Sequence, residues 1–271
     1  MDNLVRQLKG FSDTPELDIR YFLEENPSDI QLQSWIERRK KGEPVAKIIG
    51  HKGFWKREFF VSGDTLDPRP DSETMIDFIL TNYPDEQRPL RFLDLGTGTG
   101  CLLLSLLDEY PLAEGVGMDI SEKALKIARK NATGCKRVRF VKGDFSCPDA
   151  FKDLGQFDVI LSNPPYIPTD EIARLDVDVK NYDPLLALDG GKDGLDAYRA
   201  LAKNLSVCLK KGGRIFFEIG QGQRDDVWAI MKEEGFAFCG QACDLSGIIR
   251  ILGFFRYKDL PRITRILNFL R

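Results

Sequence analysis

Histidine is nearly missing from this 271-residue sequence, which contains only His51. Of six cysteines, at 101, 135, 147, 208, 239 and 243, only Cys239 and Cys243 stand close together. That pair and a distant histidine do not supply enough ligands for zinc, so no metal is expected. The thiols read as small buried hydrophobes. No signal peptide precedes them, which predicts unpaired cysteines in a reducing, cytoplasmic setting. Long apolar runs are lacking too: the longest, Cys101 to Leu107, is broken by Ser105 and is far too short to cross a bilayer. Nor is there an excess of positive charge. Against 42 acids stand 39 Lys and Arg, a net charge of −3, which disfavours general binding to nucleic acid. Internal repeats and low-complexity tracts are also absent.

What is present suits one sizeable domain with a small one attached. Residues 1–43 carry apolar side chains at spacings of three and four (Leu4, Leu8; Ile19, Phe22, Leu23; Leu32, Trp35, Ile36), with Pro15 and Pro27 near helix starts. They predict a small helical unit. Residues 45–61, rich in β-branched and aromatic side chains around Gly50 and Gly53, predict a β-hairpin. Leu66 to Glu73 is a proline-stiffened turn that feeds a helix. From Arg91, short apolar runs (91–95, 114–118, 137–141, 157–161, 214–219) alternate with helical stretches (99–110, 121–132, 193–210, 223–234). This alternation predicts an α/β fold whose parallel sheet is covered on both faces. Runs 236–242 and 248–255 have no helix between them and predict an antiparallel pair at one sheet edge. The tail, Arg256 to Arg271, has five basic residues among apolar ones and is read as a helix packed on its own domain or frayed, with a membrane-surface or partner helix as the alternative.

Three places carry chemistry. Gly96-Thr97-Gly98-Thr99-Gly100 joins a strand to a helix and lets backbone approach a cofactor closely. Cys101 stands where a dinucleotide-binding loop has its third glycine, which points away from a diphosphate and toward S-adenosylmethionine, whose carboxylate needs only a few backbone N–H groups. Asp119, ending the second strand, is placed to accept from both ribose hydroxyls. After the third strand, Asp144 could accept from an adenine amino group and Phe145 lie against the ring. Each acid also has an ordinary reading as a helix cap or turn residue.

The fourth strand ends in Asn163-Pro164-Pro165-Tyr166. The Asn163 side-chain carbonyl and the Pro164 backbone carbonyl are two acceptors that can hold both hydrogens of a planar NH₂ group. Such a nitrogen has a delocalised lone pair, and fixed acceptors could draw it toward tetrahedral geometry and aim it at a sulfonium methyl. The prolines stiffen the loop, and Tyr166 would cover the guest's π face.

With Pro44-Val-Ala-Lys-Ile-Ile-Gly50, Phe54-Trp55, Pro68-Arg-Pro-Asp-Ser-Glu73, Leu93-Asp-Leu-Gly-Thr-Gly-Thr-Gly100, Ser162-Asn-Pro-Pro-Tyr166 and Leu186-Ala-Leu-Asp-Gly-Gly-Lys-Asp-Gly194, the chain resembles the release-factor glutamine N5-methyltransferases, the PrmC/HemK family, along nearly its whole length. The resemblance implies a class I S-adenosylmethionine-dependent methyltransferase, with a Rossmann-like seven-stranded sheet. It divides the chain into a helical substrate-docking domain (1–43), a β-hairpin linker (44–66) and the methyltransferase domain (67–271). It also implies that the guest is the glutamine of the Gly-Gly-Gln motif in class I peptide chain release factors. Cofactor contacts would then fall on Gly96 to Gly100, Asp119, Phe145 and Asn163, and glutamine contacts on Asn163 to Tyr166. The charge balance and the short apolar runs leave no stable nucleic-acid partner and no membrane to expect, and a monomer is the default. The chain departs from the family at Asp67, where an aliphatic residue is usual, at Tyr182-Asp183-Pro184 and at Gly247-Ile-Ile-Arg250. Residues 167–192 read as a long loop with six acids against three bases, an acidic lid that suits a protein substrate. The rival readings are an amino-group methyltransferase acting on DNA or RNA, and a binding module that keeps the fold without the chemistry.

Overall fold

A computed structural model describes residues 1–259. Of the tail expected as a helix from Arg256, Arg256 itself ends the last strand and Tyr257–Asp259 form a short 3-10 turn; the rest lies outside the described residues. Four helices open the chain: Asp2–Leu8 (α1), Pro15–Glu24 (α2), Asp29–Lys40 (α3) and Val45–Ile49 (α4). Pro15 sits at the start of α2, where its missing N–H costs nothing, and Ser28 caps α3 by accepting from Gln31 N–H at 3.3 Å. Val5, Leu8, Ile19, Phe22, Trp35 and Ile36 close a small core of their own.

The fourth helix corrects the hairpin expected from residue 45. Val45, Ile48 and Ile49 stand at helical spacing and pack on that small core, so burial overrides their β propensity. Gly50, at φ 88°, ends the helix. Only His51–Phe54 (β1) and Arg57–Phe60 (β2) form the hairpin, turning at Trp55-Lys56. The small helical core therefore runs to Ile49, past the expected limit at 43.

After Glu73–Asn82 (α5), strands and helices alternate: Arg91–Leu95 (β3), Cys101–Glu109 (α6), Glu114–Asp119 (β4), Glu122–Asn131 (α7), Val138–Lys142 (β5) and Phe157–Ser162 (β6). Two short helices, Val177–Tyr182 (α8) and Leu185–Leu188 (α9), precede Asp196–Asn204 (α10). Leu209–Glu218 (β7), Arg224–Glu233 (α11), Phe236–Cys243 (β8) and Ile249–Arg256 (β9) complete the order. The seven-stranded sheet runs β5-β4-β3-β6-β7-β9-β8, with its first five strands parallel. β8 and β9 form the expected antiparallel pair, and β8 is the edge strand.

Alternation along the central strands sends side chains to two cores. Leu93, Leu95, Ile160 and Phe217 face one core, which α10 and α11 cover. Phe92, Leu161 and Phe216 face the other, covered by α5 and α6. The chain leaves β3 toward β4 and β5, then crosses back to β6 on the other side of β3. That reversal opens a crevice at the C-terminal strand ends, where open sheets collect ligands.

The long loop expected over 167–192 is also corrected. It holds α8 and α9 and is tied down at both ends, since Ile167 N–H donates to Leu188 O and Gly190 N–H to Ile167 O. Local carbonyls take up the donors that a structureless stretch would leave to water.

Candidate active site

Four strand tips meet at one cavity of about 330 Å³. After β3, Gly96, Thr97, Gly98 and Thr99 form one wall; Asp119 follows from β4, Asp144 and Phe145 from beyond β5, and Asn163 and Pro165 from beyond β6. Gly100, Pro164 and Tyr166 were expected in the same place, yet they are not part of the wall. Pro164 is buried. Gly100 caps α6 at φ 78°.

Hydrogen bonds hold the glycine loop from below. Gly96 and Thr97 N–H both donate to Met118 O at 2.9 Å, and Gly98 N–H donates to Asp119 Oδ2 at 2.9 Å. Gly98 lies at φ 55°, a left-handed conformation that a side chain would strain. The other oxygen, Asp119 Oδ1, accepts from Ser121 N–H at 2.9 Å. Asp119 is thus both a brace for the loop and a carboxylate in the cavity wall. Burial raises its pKa, and the backbone N–H bonds oppose that rise. Asp144 is braced in the same way, Oδ1 accepting from Ser146 N–H at 2.8 Å.

Asp94 belongs beneath this loop and has no role in the sequence reading. It is buried inside β3, and its Oδ2 accepts the Thr97 hydroxyl at 2.6 Å. Burial pushes its pKa up to about 7; the Thr97 bond opposes this and the nearby Asp119 charge adds to it. A raised carboxylate pKa means that the native state holds this proton more tightly than the unfolded chain does. The resulting stability is present at acid pH and fades as pH climbs from the ordinary carboxylate range toward 7. In the ligand-free protein, Asp94→Asn should therefore raise the melting temperature by a few degrees at pH 8 and leave it unchanged near pH 4. An equal shift at both pH values would mean that packing, not charge, decides the effect.

Beyond β6, Ser162 Oγ donates to Leu95 O at 2.6 Å, pinning this strand tip to β3. Ser162 pairs with Phe217 across the parallel ladder, so Asn163 and Glu218 end neighbouring strands. Asn163 Nδ2 donates to Ser72 Oγ at 3.2 Å, and Ser72 Oγ donates to Glu218 Oε2 at 2.5 Å. Tyr166 is half-buried, its ring packed on the core under α10 and α11 and within reach of the Glu218, Arg250 and Arg69 charges. Burial, aided by the Glu218 charge and opposed by Arg250 and Arg69, pushes the phenol up to about 12. Gln223 Nε2 holds the Tyr166 carbonyl at 2.9 Å. At Gly194, whose φ is 75°, a Cβ would stand 2.3 Å from that same carbonyl, so only glycine lets the 186–194 segment pack so closely.

The two departures at Asp67 and Asp183 come together around a residue the sequence reading passed over. Lys47, buried in α4, lies 2.7 Å from Asp67 Oδ1 and 3.2 Å from Asp183 Oδ1, and donates to the carbonyls of Ser62 and Thr65. Arg69 Nη2 reaches Asp183 Oδ2 at 2.6 Å. A lysine isolated in an apolar run was the available signal, since a buried ammonium needs partners. Asp67, Arg69 and Pro184 line the cavity. One of the six lid acids, Asp183, is therefore turned inward and neutralised. Leu186, 57% exposed, also lines the cavity and gives it an apolar lip.

Among the described residues, no group of three or more His, Cys, Asp and Glu is arranged to hold a metal, and no helix is long and apolar enough to cross a membrane.

Residues 86–246 match the family model described as a methyltransferase domain. With a sheet whose parallel tips surround a glycine-walled cavity, the class is defined: the chain is a methyltransferase. Its relatives narrow this. A release factor glutamine methyltransferase of Rhodospirillum rubrum is 44% identical over 230 residues, covering 83% of this chain and 69% of that one. Another, from Agrobacterium fabrum, is 42% identical and covers 83% and 79%. A third, from Bradyrhizobium diazoefficiens, is 45% identical and covers 81% and 75%. The chain belongs to the release factor glutamine methyltransferase family. The solved release-factor-specific protein-(glutamine-N5) methyltransferase of Alicyclobacillus acidocaldarius aligns at 25% identity over 70% of this chain and 93% of that one, at a TM-score of 0.43, too low to add to the assignment.

Proposed function

We propose that this chain transfers a methyl group from S-adenosylmethionine to the side-chain amide nitrogen, N5, of the glutamine in the Gly-Gly-Gln motif of class I peptide chain release factors. The observation that carries the reading is the Asn163 carboxamide, standing in the cavity wall with its nitrogen already engaged by Ser72 and its oxygen left to accept.

The donor set fits the cofactor. Each Asp119 oxygen takes one backbone N–H and keeps a lone pair for a ribose hydroxyl. Asp144 and Phe145 offer an acceptor and a flat apolar face to an adenine. When bound, S-adenosylmethionine supplies a methyl group on a positively charged sulfur, an activated donor that needs no metal. In this reading Asn163 Oδ1, in the cavity wall, accepts one amide hydrogen of glutamine, and the backbone carbonyl of the buried Pro164 beside it is the second acceptor that holds the nitrogen in line. Alignment of this kind can supply on the order of 7 kcal/mol. The apolar lip at Leu186 and the surrounding acids suit a polypeptide better than a phosphate backbone. Residues 1–43 serve as the docking surface for the release factor in this reading. Free thiols at all six cysteines accord with a cytoplasmic enzyme.

Labelled methyl transfer to purified class I release factor, with duplex DNA and ribosomal RNA in the same tube, tests the proposal. Label is expected in the release factor, and a Gly-Gly-Gln→Gly-Gly-Ala release factor is expected to take up none. Label in nucleic acid instead would overturn the substrate.

A further inference from the structure

Glu218 poses a problem that the proposed reaction does not solve. It is a carboxylate 2% exposed at the end of β7, with burial as the strongest influence on it. A core position would hold an apolar side chain at less cost. Its closest partner is the Ser72 hydroxyl, itself only 3% exposed at the start of α5, and beyond Ser72 lies Asn163. Three side chains, from residues 72, 163 and 218, thus meet between the core and the cavity wall, with Asn163 close to Glu218 as well as to Ser72.

We propose that Ser72 and Glu218 are positioning residues that set the polarity of the Asn163 carboxamide. This rests on the reading of Asn163 as the acceptor of the substrate amide. An ionised carboxylate can only accept. Glu218 therefore takes the Ser72 hydroxyl hydrogen, and Ser72 has only lone pairs left to offer toward Asn163. An amide facing a lone pair must turn its NH₂ there, and its oxygen is delivered to the cavity. Without the acceptors that Ser72 and Glu218 together present, the Asn163 amide can rotate by half a turn at little cost, and its NH₂ would then confront the NH₂ of the guest. Donor would face donor, and the guest nitrogen would lose one of its two acceptors.

Strand geometry explains why these three residues meet. Leu161 and Phe216 face the core beneath α5; two residues further, Asn163 and Glu218 point the same way and meet the first turn of α5. The relay also makes the site sensitive to protons. Burial pushes the Glu218 pKa up to about 7, opposed by Ser72, Arg250 and Asn163 and assisted by Asp71. Arg250, on β9, is shared with Asp244 at 3.0 Å and Asp71 at 3.5 Å, and the Tyr166 phenol stays neutral nearby. Protonated Glu218 can donate to Ser72 Oγ, which frees the hydroxyl to donate toward Asn163 and reverses the amide. Turnover should then fall below neutral pH even though Glu218 does not touch the proton that the guest nitrogen releases to solvent after it has gained the methyl group.

Single-turnover methyl transfer to release factor, together with calorimetric cofactor affinity and melting temperature, tests the relay in the full chain. Ser72→Ala is expected to slow transfer by about 10- to 100-fold, the worth of a hydrogen bond to a charged group, with cofactor affinity unchanged. Ser72→Thr should restore the rate, and Ser72→Ala should cost nothing further in an Asn163→Ala background. Glu218→Gln should remove the fall in rate below neutral pH. A Ser72→Ala loss of equal size in both backgrounds, no rescue by Ser72→Thr, or an unaltered pH profile in Glu218→Gln would each overturn the proposal. Wild-type speed in Asn163→Ala alone would instead strike the acceptor reading on which it rests.

Discussion

Asn163→Ala is expected to slow the single-turnover methylation of release factor by roughly 10³-fold while leaving cofactor affinity within about a factor of two. The size follows from what the carboxamide is asked to do. Glutamine nitrogen is a poor nucleophile because its lone pair is shared with the carbonyl, and only a fixed acceptor on each hydrogen can aim that lone pair. In the proposed function alanine removes one of the two acceptors, the side-chain carbonyl that stands in the cavity wall. The fold should survive, since Asn163 is half-buried and its strand stays pinned through Ser162 and Leu95. Rapid-quench measurement with labelled cofactor, beside a melting curve, checks both halves. An unchanged rate would remove Asn163 from the chemistry.

Asp119→Ala should act on binding, weakening cofactor affinity by roughly 100-fold, equivalent to one or two charge-assisted hydrogen bonds. Two effects are mixed in that number, because Asp119 also braces Gly98 and Ser121. A cofactor analogue lacking the ribose hydroxyls separates them. The wild-type protein should bind this analogue far more weakly than S-adenosylmethionine, whereas Asp119→Ala should bind both alike. Discrimination that persists in the variant would leave Asp119 as a brace for the loop and nothing more.

The alternation of strands and helices from Arg91 was legible because each element declares itself within a few residues: apolar both ways for β3 and β6, one apolar stripe for α10. The glycine loop was legible for a related reason, since left-handed backbone at residues 96, 98 and 100 calls for glycine. Local patterns failed where a distant partner changed the outcome. Val45 to Ile49 has the composition of a strand and became a helix because a separate helical core was there to receive it. Tyr166 is absent from the cavity wall because its ring also packs on the core under α10 and α11, a contact that no local pattern announces.

By itself the sequence determined the fold class, the glycine loop that walls the cavity, and the Asn-Pro-Pro-Tyr tip, because periodicity, backbone preference and motif spacing are properties of neighbouring residues. Only the tertiary structure decided what stands behind them: Asp94 beneath the loop, Lys47 between Asp67 and Asp183, and the Ser72–Glu218 relay joining residues 146 positions apart. The physical reason is that a hydrogen bond or an ion pair acts over a few ångströms in space, and strand order alone fixes which remote side chains come within that range.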